Sequence, residues 1–308
     1  MRLISVFGLS IVMLIAAANA GEDSYSIDQS AAASWLLDSN NDRDVAVGLL
    51  LRSVETDASQ AQFADKESLI DLMGRSENHD TLAVIALTCL NAELLEVCRD
   101  AGLDQALVDH AQGNLLLRAW LFEDESAWTD TIRETSIVQD VTHRIAKTIN
   151  DALLAYLAIN SSNDLAKHAG EQAMAIAMAA PVPLNEIVEV CKSTSASLEG
   201  ACMQALETMT VPQNSVITRV TGMKAQEERL IAAGNDDQAL ALVKDREQLW
   251  SRFSCLQYEL PDNLDERLNG RQIKRFIDTA AAQGELAALE TLASAFNLQC
   301  GSFDQHHS

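Results

Sequence analysis

Residues 89–98 read CLNAELLEVC, with two cysteines separated by mostly apolar and acidic residues. In one straight helix, the two Cα atoms would lie roughly 13 Å apart, at a rise of about 1.5 Å per residue. A disulfide requires about 4.4–6.8 Å between the same atoms. A bond between Cys89 and Cys98 therefore requires the chain to turn, and we predict that turn at Leu90–Glu93. The stretch then forms the tip of a helical hairpin.

Residues 1–20 have the pattern of a signal peptide. Met1-Arg2 is positively charged, Leu3–Ala17 is a nearly unbroken apolar run, and Ala18-Asn19-Ala20 fits a signal-peptidase site. The apolar run is shorter than the ~20 residues that a transmembrane helix needs, although an uncleaved anchor is the alternative. We expect a periplasmic or secreted chain with no membrane anchor after cleavage. Residues 21–308 then form a helical repeat-like domain, with a possible subdivision near residue 180.

The chain has six cysteines, and an even number in an exported protein is typical of a disulfide framework. No Cys-x-x-Cys pair and no cysteine or histidine spacing of zinc-finger type occurs, which argues against redox and zinc chemistry. Ser193–Ser197 is a poor helix interior, so the second cysteine pair also fits a hairpin tip. The predicted structural disulfides are Cys89–Cys98, Cys191–Cys202 and Cys255–Cys300.

Apolar residues recur at helical spacing almost throughout the chain, and alternating patterns of strand type are scarce. Breaker segments such as Ser76–Asn78 and Pro181–Pro183 separate the apolar stripes. The sequence therefore predicts an all-α fold of antiparallel helical hairpins, stacked as a solenoid-like or bundle array and stapled by disulfides. The apolar stripe within Thr129–Ile159 predicts one long central helix, with a spacing of four from Ile137 through Val141.

The two short cysteine pairs are each followed by an asparagine, Asn114 and Asn214, and corresponding features recur about a hundred residues apart. An old duplication and a coincidence both explain this spacing, and the sequence does not decide between them.

Residues 230–240 read LIAAGNDDQAL. They resemble the turn between the two helices of a tetratricopeptide repeat, in which small residues, a glycine and an alanine five positions later allow close helix packing. The resemblance covers only this stretch. It implies a helical-repeat scaffold that binds proteins or peptides, and it implies no chemistry.

The formal net charge is −23. Such an acidic chain is repelled by nucleic-acid backbones and by anionic lipid, so neither is a predicted partner. The charge is compatible with cationic partners or divalent ions, and also with a surface that is simply well solvated.

No recognised catalytic, metal or cofactor motif occurs, and we predict no metal and no cofactor. His143 is expected on a helix surface. Asp38–Asp44 has acids and amides at the alternate positions of a calcium loop, but Arg43 occupies the glycine position, so a helix N-cap is the favoured interpretation. Trp120 is predicted in the core. Trp128 is predicted in the core or, alternatively, in a groove for a basic peptide.

These observations predict a non-enzymatic α-helical scaffold that binds a protein or peptide of the cell envelope. An enzyme that processes envelope polymers is the alternative, with Glu123 or Glu125 as general acid. A third hypothesis is a purely structural or stress-related envelope protein.

Overall fold

The computed structural model describes residues 27–55, 65–91, 94–111, 113–121, 125–160, 165–192, 198–260, 264–298 and 300. Within these ranges the regular structure is helical and contains no strand. The predicted all-α class is therefore confirmed. The predicted signal peptide and the His306-His307 tail lie outside the described residues.

The first helices are α1 (Gln29–Leu37), α2 (Asp42–Glu55), α3 (Lys66–Arg75), α4 (His79–Asn91), α5 (Leu95–Asp100), α6 (Leu103–His110), α7 (Leu115–Ala119) and α8 (Glu125–Glu134). They are followed by α9 (Thr142–Asn160), α10 (Ala166–Met178), α11 (Leu184–Lys192), α12 (Glu199–Met209), α13 (Val216–Ala232), α14 (Asp236–Glu259), α15 (Leu264–Arg267), α16 (Gly270–Gln283) and α17 (Glu285–Ala295).

All three predicted disulfides are present, with Cα–Cα distances of 6.3 Å for Cys89–Cys98, 5.4 Å for Cys191–Cys202 and 5.9 Å for Cys255–Cys300. The first bond joins α4 to α5, as the distance argument requires. Helix α4 continues through Asn91, into the predicted turn. The amide of Leu94 then donates to the carbonyl of Cys89 (2.8 Å) and closes the turn.

The predicted long helix over Thr129–Ile159 is wrong. Helix α8 ends at Glu134, helix α9 begins at Thr142, and the seven residues between them are not helical. We call residues 135–141 the clamped segment. Its buried backbone groups need hydrogen-bond partners, because an unpaired buried amide or carbonyl is costly.

Asparagine side chains supply several of those partners from two sides. Asn114 accepts from the amide of Gln139 (3.3 Å) and donates to the carbonyl of the same residue (2.8 Å). Asn214 accepts from the amide of Asp140 (2.7 Å) and donates to the carbonyl of Val138 (3.2 Å). Both asparagines are fully buried. The two residues that mark the possible sequence repeat therefore bind one and the same segment.

Thr208 of α12 completes the arrangement. Its hydroxyl accepts from the amide of Val138 (2.9 Å) and lies 3.0 Å from the carbonyl oxygen of Ser136. The amide of Leu115, at the start of α7, donates to the carbonyl of Ile137 (2.8 Å). Tertiary contacts thus replace the helical hydrogen bonds that the clamped segment lacks.

Helix α9 lies at the centre of the larger of two apolar clusters. Its predicted stripe is confirmed, because Ile145, Ile149 and Leu153 have no exposed surface. Helices α1, α2, α4, α10 and α16 pack around it. The second cluster joins α7, α8, α11 and α12 and includes the disulfide Cys191–Cys202.

A glycine allows α16 and α17 to meet the loop before α13. Gly284 has φ +93°, in the left-handed region that side chains disfavour. A Cβ atom there would lie 2.0 Å from the carbonyl oxygen of Pro212. The next residue, Glu285, accepts a hydrogen bond from the amide of Val216 (2.9 Å), so this contact also caps α13.

Replacement of Asn214 by alanine should lower the free energy of unfolding by about 2–4 kcal/mol, because it leaves several buried backbone groups without partners. Urea denaturation measures the change. Asn235→Ala is the matched control, since Asn235 is exposed and its side chain makes no capping hydrogen bond. Equal losses in the two variants would contradict the role of Asn214.

Gly284→Ala should destabilise the protein by more than Gly234→Ala. Gly234 also has positive φ (+76°), but a Cβ atom there would have no neighbour within 4 Å. Gly234→Ala should therefore cost only the backbone strain, about 1–2 kcal/mol. The same denaturation measurement gives the difference between the variants, which is the cost of displacing Pro212. A difference of zero would show that the loop moves freely.

Candidate functional site

The hairpin of α13 and α14 ends in a long run of exposed residues. The residues from Ile231 to Gln238 are all exposed, and Ala239 is the only buried residue between Asp236 and Gln248. We call residues 227–240 the hairpin end. It contains residues 230–240, for which the sequence predicts a tetratricopeptide-like turn.

Local backbone geometry fixes the hairpin end. Gly234 adopts the left-handed conformation (φ +76°), and the amide of Asn235 donates to the carbonyl of Leu230 (2.8 Å). These contacts end α13 and start α14, as the sequence pair Gly234-Asn235 predicts. Buried Phe253 and Leu256 anchor the other half of α14 in the larger core.

Ion pairs brace the flanks of the hairpin. Arg246 of α14 pairs with Glu227 of α13. Lys192 of α11 lies 3.3 Å from Glu228, and Arg229 lies 2.8 Å from Glu199 of α12. These contacts are partly exposed, so each contributes little stability, but together they restrict the direction of the hairpin.

Two large aliphatic side chains remain uncovered at the hairpin end. Ile231 is 54% exposed and Leu240 is 55% exposed. Asp236 and Asp237 lie between them in sequence, are also exposed, and form no ion pair with any described residue. The hairpin end therefore combines apolar surface with uncompensated negative charge.

A buried group of titratable side chains lies beside the clamped segment. His143 is 6% exposed, and neither ring nitrogen has a hydrogen-bond partner among the described residues. The prediction that His143 lies on a helix surface is therefore wrong. The carboxylate of Asp140 accepts from the amide of Thr142 (3.0 Å) and from the hydroxyl of Thr218 (3.2 Å).

The two carboxylates of this group titrate differently. Burial acts to raise the pKa of Asp140, but the imidazole of His143 and hydrogen bonds from Ser215 and Thr142 outweigh it, so the pKa is lowered. Burial raises the pKa of Glu285, whose carboxylate is enclosed although the residue is partly exposed. Glu285 caps α13 by accepting from the amide of Val216, so its raised pKa belongs to a buried helix cap.

A cavity of about 690 Å³ opens beside Arg118 and is also lined by Gly113 and Ser136. Arg118 is buried, and its guanidinium lies 2.6 Å from Asp104 and 2.9 Å from Glu134. Burial acts to lower the pKa of Arg118, but the hydrogen bonds and charges of the two acids raise it. The sequence did not reveal this cluster, because its members come from three separate helices. The geometry assigns it to the packing of α6, α7 and α8.

The other residues singled out by sequence are structural where they are described. Trp120 is buried, as predicted, and its indole N–H donates to the carbonyl of Pro181 (2.7 Å). Trp128 is buried in the second core, so the alternative of a peptide groove there is wrong. Asn41 accepts from the amide of Arg43 (3.1 Å), which confirms the N-cap interpretation of residues 38–44.

The acids of the enzyme hypothesis cannot be placed in a site. Glu123 lies outside the described residues, and Glu125 is the first residue of α8, with its side chain outside the described part. Among the helices that the structure describes, none combines the length and the apolar character needed to cross a membrane.

No protein-family model, curated protein or solved structure matches this chain.

The variant Glu285→Gln should be more stable than the wild type at pH 7. This gain in the free energy of unfolding should be smaller at pH 4. A raised folded-state pKa means that stability is present below the unfolded value near 4.5 and is lost as pH rises toward the folded value. Glutamine cannot ionise, and its side-chain oxygen still accepts from Val216. Thermal unfolding from pH 4 to pH 7 measures the change.

Asp140→Asn is the control of opposite sign. The lowered pKa of Asp140 adds stability above the unfolded value, which disappears as pH falls through the folded value. This variant should therefore lose more stability at pH 7 than at pH 3. Parallel pH profiles for both variants and the wild type would refute the assignment.

Proposed function

We propose that this chain is a periplasmic or secreted, non-enzymatic α-helical scaffold that binds a protein or peptide partner through the hairpin end. The observation that carries this proposal is the pair of uncovered aliphatic side chains, Ile231 and Leu240, on a hairpin that projects from the core. Burying one such side chain is worth about 1.5–3 kcal/mol. Contact with a partner would recover that free energy for both residues.

The surrounding charge suggests the chemistry of the partner. Asp236 and Asp237 are exposed and unpaired among the described residues, next to the apolar side chains. A segment that presents apolar residues followed by lysine or arginine would complement both features. The net charge of −23 would in addition speed the approach of a basic partner.

Three disulfides support an oxidising compartment for this scaffold. Two of them fix short helical hairpins, and the third connects α14 to the chain beyond α17. A binding surface on such a framework is largely formed before binding, which reduces the entropy lost on association.

Photo-crosslinking in cells tests the proposal. A photoreactive residue at position 240 should yield a discrete adduct, whereas the same residue at position 159 should not. Ile159 is the matched control because it is 70% exposed and lies at the end of α9, away from the hairpin. Mass spectrometry of the adduct identifies the partner.

The purified partner then allows a quantitative comparison. The double variant Ile231→Ser/Leu240→Ser should weaken binding at least about tenfold, whereas Ile159→Ser should leave it unchanged. Both variants should unfold within about 0.5 kcal/mol of the wild type, because the changed side chains are exposed. Identical adducts at both positions, or unchanged binding by the double variant, would overturn the proposal.

A further inference from the structure

The three disulfides differ in their access to solvent. The four cysteines of Cys89–Cys98 and Cys191–Cys202 are each at most 1% exposed. Both cysteines of Cys255–Cys300 are partly exposed. Thiol–disulfide exchange requires a thiolate to reach a sulfur atom, so access decides which bond reacts first. A bond that is sealed in the core reacts only after the protein opens locally.

Cys255 lies on an open side of α14. Its neighbours one helical turn away, at spacings of three and four residues, are Ser251, Arg252, Tyr258 and Glu259. Tyr258 is 82% exposed, and Arg252 and Glu259 are exposed as well. Ser251 is half-buried. A folded protein can therefore approach the helix surface beside Cys255.

Cys300 lies on the inner side of the same bond. It packs against the larger apolar cluster, whereas Cys255 does not. A thiolate attacks a disulfide along the S–S axis, from the side opposite to the leaving sulfur. Because the open side of the bond is that of Cys255, the geometry favours attack on the Sγ of Cys255 with Cys300 as the leaving group.

Noncovalent contacts on both sides remain when this bond is open. The guanidinium of Arg267 lies 4.7 Å from the centre of the Phe296 ring, which precedes Cys300 by four residues. Phe253 and Leu256 stay buried on either side of Cys255. These contacts hold the two thiols near each other, so the bond can form again.

We propose that Cys255–Cys300 is a redox-active disulfide and that its reductant is a protein dithiol of the Cys-x-x-Cys class. This chain has no Cys-x-x-Cys pair of its own, so it is the substrate of the exchange. The bond joins α14, which carries the hairpin end, to the chain beyond α17, and its redox state therefore controls how that helix is held.

The exchange has two steps. The first thiolate of the dithiol bonds to the Sγ of Cys255, the S–S bond breaks, and Cys300 leaves as a thiolate that takes up a proton. The second sulfur of the dithiol, once deprotonated, attacks the first and releases Cys255, which takes up the other proton. Two electrons pass to the cysteine pair, and the dithiol becomes a disulfide.

Timed reduction of the native protein by thioredoxin tests the proposal. Free thiols are trapped with N-ethylmaleimide, and mass spectrometry assigns the label to each cysteine. Cys255 and Cys300 should be labelled at least about tenfold faster than the cysteines of the two buried bonds. Circular dichroism should show unchanged helix content at that stage. In concentrated urea, which removes the protection by the fold, the three bonds should be reduced at similar rates.

A thioredoxin whose second active-site cysteine is replaced by serine identifies the sulfur that is attacked. This thioredoxin cannot release the mixed disulfide, so the adduct accumulates. The adduct should lie on Cys255 and not on Cys300. The double variant Cys255→Ser/Cys300→Ser should form no adduct with the native protein.

Equal labelling rates for the three bonds of the native protein, or an adduct on Cys300, would overturn the proposal. Loss of helix content with the first labelled pair would also contradict it. Reduction by dithiothreitol without reduction by thioredoxin would exclude a protein dithiol as the reductant. The variant Ile231→Ser/Leu240→Ser should react at the wild-type rate, so this proposal and the binding proposal can fail independently.

Discussion

The fold depends on the way in which buried backbone groups of residues 135–141 are satisfied without a helix. Two carboxamides, from Asn114 and Asn214, and the hydroxyl of Thr208 hold this segment from opposite sides. Because the clamped segment interrupts what would be one helix, α8 can join the second core while α9 becomes the centre of the first. The same contact places Asp140 and His143 in the interior, where both act electrostatically on the pKa of Glu285. One irregular segment thus connects the two apolar clusters and the buried ionisable group.

Much of this architecture follows from short-range rules in the sequence. The disulfide at 89–98 was predictable because helical rise and disulfide geometry are incompatible without a turn. The stripe Ile145–Leu153 predicted the buried face of α9 for a similar reason. The break before α9 was not predictable, because Ile137 and Val141 continue the spacing of four while the groups that replace the helical bonds are distant in sequence. His143 was misplaced because the spacing of apolar residues does not show that a polar residue between them is buried as well.

The candidate sites also combine features that the local sequence predicts with features that depend on distant parts of the chain. Gly234 and Asn235 identified the turn of the hairpin, because these residues favour a helix end and a new start. Apolar spacing shows which residues of a helix avoid water, but it does not show whether a neighbouring element covers them. The exposure of Leu240 is therefore a finding of the structure. Likewise, Ser76–Asn78 was recognisable as a breaker, whereas the ion pair of Arg75 with Asp42 beside it was not, because Asp42 begins a different helix.

The attachment of α14 has a mechanical consequence. Beyond its last deeply anchored residue, Leu249, the helix continues for about 20 Å toward the hairpin end with only Ala239 buried. This half of α14 is therefore attached to the core at one end only, and α13 packs along one of its sides. A load applied at Leu240 is carried to the base of the helix, where Cys255 is covalently joined to Cys300. A covalent bond at that position adds to the buried contacts of Phe253 and Leu256 when the arm is pulled.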